Sequence, residues 1–298
     1  MSNRLVRLVT ALATLVAALA LAPMAAAGQA QPANRTNIPR TADGRPDFSG
    51  YWQPNGIDSH SLEEGCCDPA SLRMGNGGGP RGREGFKSAV VDPPNGRIPY
   101  LPAAQAKRNE LLYAVETPVK KTDIEPEDIC YPLGVPRSNY RGAINIRQTP
   151  GAMMFLYEWT HGFRFVPLDG RPHLGTNVTL WNGDARARWE GDTLVIDVTN
   201  LREGPWLDSH GSHYTSAMHV VERLTYVDPN TIRYEATIED PNVFSRPWKI
   251  QHQFRRNPDP NAALLEEACA EGISYQLRLD IGRAAVARGE RKMHTHEE

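Results

Sequence analysis

The feature that most constrains this fold is a run of short alternating segments between about residues 144 and 269. Gly191-Asp192 separates two of these segments, which predicts a two-residue hairpin loop. Two further segments meet at residues 228–230, where Asp, Pro and Asn favour a turn. The segment WKIQHQF places four side chains on one face, namely Trp248, Ile250, His252 and Phe254. The pattern predicts a meander of antiparallel strands.

Such a meander has two edge strands, whose unpaired backbone groups invite aggregation unless they are hidden. Closing the sheet into a barrel hides both edges at once. We therefore predict a mainly β fold, in which an antiparallel meander closes into a calycin- or lipocalin-like barrel with an irregular N-terminal wrap and one or two short helices. Barrels of about eight strands can hold one small ligand, so polar residues on strand faces are candidates for function.

The start of the chain has the pattern of a secretory signal. Arg4 and Arg7 precede the apolar run LVTALATLVAALALA, and three alanines at 25–27 precede a cleavage point at Gly28. The apolar run is too short and too rich in alanine to favour a membrane span, and no other stretch is apolar enough to be one. We expect a periplasmic or secreted protein that is not inserted in a membrane after the signal is cleaved.

Four parts are expected along the chain. They are a signal peptide at 1–27, an irregular Pro- and Gly-rich wrap with one helix at 28–140, the antiparallel barrel at 141–272, and a C-terminal helix and polar tail at 273–298. Within the wrap, PDFSGYW is expected to form a first short strand. Pro102 is expected to begin the helix, because proline is tolerated in the first helical turn. The stretch MGNGGGPRGREG lacks the flanking strand and helix and the Lys-Ser/Thr ending of phosphate-binding loops, and is predicted to be a flexible loop.

The charge balance indicates which partners the chain can attract. Lys and Arg number 33 against 35 Asp and Glu, and the pI is near 6.5, so no long-range field draws nucleic acid or anionic lipid. A small uncharged or mixed-polarity molecule suits this balance better. The sequence sets no oligomeric state.

Four cysteines allow three full pairings in an oxidising compartment. Cys130 and Cys269 flank the meander, so we predict a disulfide between them. Cys66 and Cys67 are neighbours, and a bond between neighbours is strained, so either can pair elsewhere. No CxxC spacing is present, which makes a cysteine metal site the weaker interpretation.

Several segments together resemble a widespread set of exported bacterial proteins of uncharacterised function. These segments are PDFSGYW, CYPLGVPR, YEWTHGFRFVPLDGRPH, RWEGDTLVIDV, WLDSHGSH and MHVVERL. The resemblance covers most of the mature chain and implies export, but it implies no particular activity. Separately, Gly50-Tyr51-Trp52 is similar to the Gly-x-Trp that opens the first strand of lipocalins, which supports a calycin-like barrel.

The first polar constellation lies in YEWTHGFRFVPLDGRPH. His161 and Arg164 suit acid–base work, because imidazole moves a proton near neutral pH and guanidinium holds a carboxylate or a developing enolate. Arg171 and His173 lie around the following turn and are candidates for substrate binding. The alternative is a salt-bridged turn, since LDGR alone is a good β-turn.

The second constellation lies in WLDSHGSHYTSAMHVVER, a loop that leads into a strand. Asp208 and His213 are candidates for catalysis in this loop. On the strand, Glu222 shares an apolar face, whereas His219 and Arg223 lie on the opposite face. A buried carboxylate needs a cation or a donor, which makes Glu222 a candidate for substrate binding. Both faces cannot line one cavity, so at most one of these sets is catalytic unless a bulge intervenes.

The loop histidines also suggest a metal-binding site as an alternative. His210, His213 and His161 could hold zinc or another divalent ion and leave a position for water, although H-x2-H-x5-H matches no tight metal motif. No other cofactor is expected. His252 on its apolar strand face and Trp181, which could stack on a ligand ring, complete the candidate substrate-binding residues.

We therefore expect an extracytoplasmic enzyme that binds a small organic molecule in the barrel and acts by acid–base chemistry, as a lyase, isomerase or hydrolase. His161 and His213 carry protons, Asp208 orients a histidine, and Arg164 stabilises negative charge in this hypothesis. The alternative is a non-catalytic carrier or binding protein for a small apolar ligand. An envelope scaffold is a third interpretation, against which the lack of repeats argues.

Overall fold

The computed structural model describes residues 37–57, 61–63, 88–116, 118–265, 269 and 274–289. The predicted signal peptide, the glycine-rich stretch, Cys66 and Cys67 lie outside the described residues, and so does the side chain of His161. The described part contains ten strands and two helices, so the protein is mainly β, as predicted.

The strands fall into three groups along the chain. Two early strands come first: β1 (Gly50–Asn55) and β2 (Val90–Asp92). A three-stranded meander follows: β3 (Ile144–Thr149), β4 (Ala152–Tyr157) and β5 (Phe163–Pro167). A five-stranded meander completes the sheet: β6 (Asp184–Glu190), β7 (Thr193–Thr199), β8 (His219–Asp228), β9 (Thr231–Glu239) and β10 (Trp248–Arg256).

Strand β1 joins the two meanders into one sheet. The order is β5-β4-β3-β1-β10-β9-β8-β7-β6, with β2 paired to β10, and all of the described strand pairs are antiparallel. Trp52 of β1 pairs with Ile144 of β3 on one side and with Arg256 of β10 on the other. The strand expected in PDFSGYW is therefore present as β1, in the middle of the sheet. Strands β3 to β10 of the same sheet all come from residues after 141.

The sheet is nearly closed into a barrel. Strands β5 and β6 are the two ends of the order and lie beside each other, although no ladder of hydrogen bonds joins them among the described residues. An even number of antiparallel steps separates them, so they run in the same direction. We call this junction the seam. The predicted antiparallel, calycin-like barrel is confirmed, and its closure depends on contacts across the seam.

The predicted hairpins form where the turn residues favour them. Gly191 adopts a φ of +60° between β6 and β7, a conformation that glycine reaches without steric strain. β8 ends at Asp228 and β9 begins at Thr231, around the predicted turn. Helix α1 (Pro102–Glu116) begins at the expected proline, and α2 (Ser274–Ala287) lies in the C-terminal segment.

Alternation along the strands buries one face of each strand inside the barrel. On β10 the four residues of the predicted face are all buried: Trp248, Ile250, His252 and Phe254. On β8, Glu222 lies on the buried face, whereas His219 and Arg223 are partly exposed on the other face, as the pattern predicts. Large aromatic side chains fill much of the interior, and burying one of them contributes about 1.5–3 kcal/mol to stability.

Three connections carrying polar residues meet at one end of the barrel. Because neighbouring strands alternate in direction, the β4–β5 turn, the β7–β8 connection and the chain that enters β3 all lie at this end. The chain entering β3 contains the short 3₁₀ turn Arg137–Asn139, which we call the capping turn. The turn that contains His161 and the loop that contains Asp208 and His213 therefore share one end of the barrel.

A disulfide fixes the segment before the capping turn. Cys130 and Cys269 are joined, with their Cα atoms 5.7 Å apart, which confirms the predicted pair and ties the entry of the barrel to the segment after β10. Among the helices in the described part of the chain, none has the length and apolar character needed to cross a membrane.

Candidate functional site

Six polar side chains form a cluster inside the barrel, near the capping turn. They come from the capping turn and from β4, β5, β8, β9 and β10: Asn139, Tyr157, Arg164, Glu222, Tyr234 and His252. We call this set the central cluster. All of its members are buried, and the exposed fraction is 0% for Glu222 and 3% for both Arg164 and His252.

An ion pair forms the charged centre of this cluster. Arg164 Nη2 donates to Glu222 Oε2, and the guanidinium lies over the ring of Phe155 at 5.6 Å. Burial opposes the charge of Arg164, but the carboxylate outweighs it, so the pKa of Arg164 is raised and the guanidinium stays charged. Arg164 lies on β5 and Glu222 on β8, on opposite sides of the seam, so this bond also holds the barrel closed.

The capping turn completes the shell of the carboxylate. Asn139 Nδ2 donates to Glu222 Oε1 at 2.6 Å and to the hydroxyl of Tyr234 at 3.1 Å. The Tyr234 hydroxyl donates in turn to Glu222 Oε1 at 2.7 Å, and the Tyr157 hydroxyl donates to Asn139 Oδ1 at 3.1 Å. Burial raises the pKa of Tyr157 and the pKa of Tyr234, so both phenols stay protonated at neutral pH. Both oxygens of Glu222 are thereby satisfied.

His252 has a different environment, because no charged side chain among the described residues is its partner. The centroid of its ring lies 4.7 Å from that of Tyr234, 4.9 Å from that of Phe254 and 6.0 Å from that of Tyr140, whose ring is nearly perpendicular to it. Burial lowers the pKa of His252 to about 4, so the imidazole is neutral at pH 7. Nδ1 lies 3.1 Å from the carbonyl oxygen of Gln253, and because a carbonyl only accepts, Nδ1 carries the hydrogen. The lone pair is therefore on Nε2.

Three nitrogen atoms of the central cluster lack a hydrogen-bond partner among the described residues. They are Nε and Nη1 of Arg164 and Nε2 of His252, and each has almost no contact with solvent. Buried polar atoms in proteins nearly always have a partner, either from the protein, from water or from a ligand. The cluster thus offers unsatisfied N–H donors from a cation and an unsatisfied acceptor on a neutral imidazole.

The predicted catalytic loop lies at the same end of the barrel and is organised by its own carboxylate. Asp208 is fully buried and accepts backbone N–H groups of Leu62 at 3.2 Å, His210 at 2.9 Å and Ser212 at 3.4 Å. His213 is also buried, with Nδ1 at 3.4 Å from the carbonyl oxygen of Gly211 in its own loop. Burial and the nearby Lys107 lower the pKa of His213, so it is neutral at pH 7.

The capping turn and Tyr140, the residue after it, connect this loop to the central cluster. Arg137 forms buried ion pairs with Glu125 and Glu127 and donates to Ser209 Oγ at 2.9 Å in the loop. Tyr140 donates its hydroxyl to the carbonyl oxygen of Leu207, while its ring contacts His252 inside the barrel. Tyr140 therefore links the loop, at Leu207, to the central cluster, at His252. Among the described residues, no hydrogen bond joins Asp208 or His213 to the cluster.

Two predicted substrate-binding residues lie away from the central cluster. Arg171 is exposed and pairs with Asp169 two residues earlier, which is the salt-bridged turn given as the alternative. Trp181 lies in the connection before β6, where its ring is 5.1 Å from that of Tyr131 and 4.6 Å from the guanidinium of Arg202.

His173, a third predicted substrate-binding residue, belongs to a chain of contacts between histidines and carboxylates on the outer face of the barrel. We call this set the outer row: His173, Asp184, Asp197, His219 and Glu239. His173 contacts Asp184 at 2.9 Å and Asp197 at 2.8 Å, and His219 contacts Asp197 at 3.1 Å and Glu239 at 2.7 Å. Every ring nitrogen in the row faces a carboxylate, so the row links β6, β7, β8 and β9.

Of the predicted site residues, Arg164, Glu222 and His252 come together in the central cluster. The sequence interpretation did not include Asn139, Tyr157 and Tyr234. Strand alternation could have found the two tyrosines, because each lies on the buried face of its strand. No periodic signal could have found Asn139, which lies on a 3₁₀ turn outside any strand.

No group of three or more His, Cys, Asp or Glu side chains in the described part of the chain is arranged to hold a metal ion. The predicted zinc alternative includes the side chain of His161, which lies outside that part. Comparisons of the sequence with protein-family models and with curated proteins find no match.

Proposed function

We propose that the chain is an extracytoplasmic enzyme that binds a small organic molecule against the central cluster and acts on it by proton transfer. One observation carries the proposal: Arg164 Nε, Arg164 Nη1 and His252 Nε2 are buried without a partner among the described residues. A bound molecule supplies the missing partners. Export is supported by the signal-like start of the chain and by the disulfide between Cys130 and Cys269.

Each member of the cluster has a role in this proposal. Arg164 stabilises negative charge on the bound molecule, as the sequence indicated, and Glu222 fixes the position of its guanidinium. His252 takes up the proton, because its Nε2 lone pair is free and its tautomer is fixed by the carbonyl oxygen of Gln253. Proton removal beside a carbonyl held by Arg164 produces an enolate, which is the first step of many lyase and isomerase reactions. His161 and His213 remain predicted as further proton carriers at the same end of the barrel.

The test uses the purified protein and an untargeted mass-spectrometric comparison of small molecules before and after incubation. The input is a metabolite extract of the extracytoplasmic fraction. We expect the wild-type protein to deplete a compound and to produce an isomer or a cleavage product of it. His252→Phe keeps a ring of similar size but has no acceptor nitrogen, so it should slow this conversion at least about 100-fold. His219→Gln, on the outer face, is the matched control and should leave the rate unchanged. Equal rates in the wild type and His252→Phe would contradict the proposal.

The non-catalytic carrier is the second candidate, and the aromatic interior favours it. Trp52, Phe155, Tyr234, Trp248 and Phe254 are all fully buried inside the barrel, and such side chains suit an apolar ligand. A compound that the wild-type protein retains through purification and releases unchanged would support the carrier over the enzyme.

A further inference from the structure

We infer that the ligand of the central cluster is an electrically neutral molecule with an acceptor oxygen and a hydroxyl or N–H donor, as in a hydroxy ketone. This inference rests on the proposed ligand site and names the class of molecule that fits it. It depends on the charge balance of the cluster and on which of its atoms lack partners.

The charges of the central cluster already balance. Arg164 contributes one positive charge, and Glu222, bonded to it, contributes one negative charge. His252 is neutral because burial lowers its pKa to about 4, and the two phenols are protonated because burial raises their pKa. An anionic or cationic ligand would bring a second, unpaired charge into an interior where Glu222 has no exposed surface. A neutral ligand leaves the balance unchanged.

The unpartnered atoms specify the polar groups of the ligand. Arg164 Nε and Nη1 are N–H donors and have no acceptor capacity, so they need an oxygen or another acceptor. His252 Nε2 is an acceptor, because Nδ1 holds the hydrogen, so it needs an O–H or N–H donor. Arg164 and His252 lie on either side of the hydrogen-bonded pair Glu222 and Tyr234. The hydrogen-bonded pair separates the two residues, so a molecule that binds both has to extend along this pair, with its acceptor at Arg164 and its donor at His252.

The aromatic rings around these atoms indicate the shape of the ligand's carbon skeleton. Tyr234, Phe254 and Tyr140 surround the imidazole of His252, and Phe155 lies under the guanidinium of Arg164. Flat aromatic walls of this kind favour a planar or unsaturated body that stacks or packs edge to face. An unsaturated carbonyl compound with a hydroxyl group meets each of these requirements.

A neutral ligand also keeps the charge balance during the proposed reaction. A proton leaves a ligand O–H or C–H and bonds to His252 Nε2, which becomes an imidazolium. The electron pair of the broken bond stays on the ligand, as an oxyanion or enolate beside Arg164. One positive and one negative charge form together, so the net charge of the interior does not change, and no further reactant is required.

Four matched aromatic probes test this inference by titration calorimetry and ligand-observed NMR. They are 4-hydroxyacetophenone, acetophenone without the hydroxyl, 4-hydroxybenzoate with an anionic group, and tyramine with a cationic group. We expect 4-hydroxyacetophenone to bind the wild-type protein most tightly and acetophenone about 5- to 10-fold more weakly, as expected for the loss of one hydrogen bond. His252→Phe should bind these two ketones equally, whereas His219→Gln should keep the wild-type difference.

Tighter binding of 4-hydroxybenzoate or tyramine, or no binding of any probe, would overturn the inference. An unchanged preference for the hydroxyl in His252→Phe would also overturn it. The outcome is separable from that of the enzyme proposal, because these probes report binding and need no turnover. Probes that bind as expected while no compound is converted leave the inference standing and remove the enzyme. If the protein converts a charged compound and the conversion depends on His252, the enzyme proposal stands and the inference of a neutral ligand is overturned.

Discussion

His252 and His219 lie in the same sheet, yet their surroundings are opposite. His252 lies on the inner face of β10 among aromatic rings, and burial lowers its pKa to about 4. His219 lies on the outer face of β8, where burial opposes its charge but the hydrogen bonds with Glu239 and Asp197 outweigh this effect and raise its pKa. One imidazole is a neutral acceptor, and the other contacts two carboxylates.

The difference shows where imidazole chemistry is available in this barrel. His219 uses both of its ring nitrogens to hold neighbouring strands together through carboxylates, so it has no free lone pair to offer a substrate. His252 uses only Nδ1, and its Nε2 has no partner among the described residues. A histidine with fewer partners is therefore the better candidate for proton transfer.

The largest effect is expected from breaking the charge balance inside the barrel. Arg164→Met leaves Glu222 as a buried, uncompensated carboxylate, and we expect a loss of about 3–5 kcal/mol in the free energy of unfolding. The double variant Arg164→Met with Glu222→Leu should recover most of this loss, because no isolated charge remains. Denaturant unfolding measures both values.

An outer-face ion pair is the matched control for this variant. Arg223 pairs with Glu190 at 2.9 Å, with both side chains 40% exposed, so Arg223→Met should cost less than about 1 kcal/mol. A loss in Arg164→Met no larger than that in Arg223→Met would mean that the interior pair is not buried as described.

The next effect concerns the pH dependence that His252 gives to stability. Its pKa is about 4 in the folded state and near 6.5 in an unfolded chain, so the unfolded state binds more protons between these values. The stabilisation is present above about pH 6.5 and is lost as the pH falls towards 4, by on the order of 3 kcal/mol at about 1.4 kcal/mol per pKa unit. Unfolding curves measured from pH 7 to pH 4 should show a shallower decline for His252→Phe than for the wild type. Parallel declines would assign the acid sensitivity to other groups.

A smaller effect on the free energy of unfolding is expected when the side-chain amide of Asn139 is removed from the capping turn. Asn139→Ala removes one donor to Glu222, one donor to Tyr234 and the acceptor of the Tyr157 hydroxyl. We expect a loss of about 1–3 kcal/mol in the free energy of unfolding, because buried polar groups are left unsatisfied. Asn242→Ala, at an exposed position, should change it by no more than about 0.5 kcal/mol. Similar values for the two variants would argue that Asn139 does not order the cluster.

The smallest effect on the free energy of unfolding is expected in the outer row. There the stabilisation is lost as the pH rises, whereas that of His252 is lost as the pH falls. Because the pKa of His219 is raised, its stabilisation is fully present below about pH 6.5 and is lost as the pH rises through the raised value. The facing groups are Asp197 on β7 and Glu239 on β9, and Asp197 also contacts His173. Partial exposure keeps the contribution below about 1 kcal/mol. His219→Gln should flatten the stability between pH 6 and pH 8, and a steeper decline in this variant would contradict the assignment.

Much of the barrel follows from local sequence patterns. The hairpin at Gly191-Asp192 and the buried face of β10 are encoded within short windows, where turn chemistry and a two-residue period act directly. It is also predictable that Glu222 has a partner, because a carboxylate on an apolar strand face requires a cation or a hydrogen-bond donor beside it. The disulfide between Cys130 and Cys269 follows from their positions around the meander.

The remaining features depend on contacts between segments that are distant in the sequence. Strand β1 enters the sheet between β3 and β10, and no local signal sets that position. The pairing of Arg164 with Glu222 requires the seam to bring β5 near β6, and Asn139 reaches the cluster from an irregular turn. The outer row needs the register of four strands, which the sequence of any one strand does not contain.

The most direct test of the central claim is a nitrogen NMR titration of the protein labelled with ¹⁵N-histidine. Our account predicts that Nδ1 of His252 is protonated and that Nε2 remains an unprotonated acceptor from pH 8 down to pH 5. It further predicts that adding 4-hydroxyacetophenone shifts the Nε2 signal in the direction expected for an accepted hydrogen bond. A titration of His252 near pH 6.5, or an Nε2 signal that is unchanged at saturating probe, would contradict the claim that this buried imidazole is the free acceptor of a ligand site.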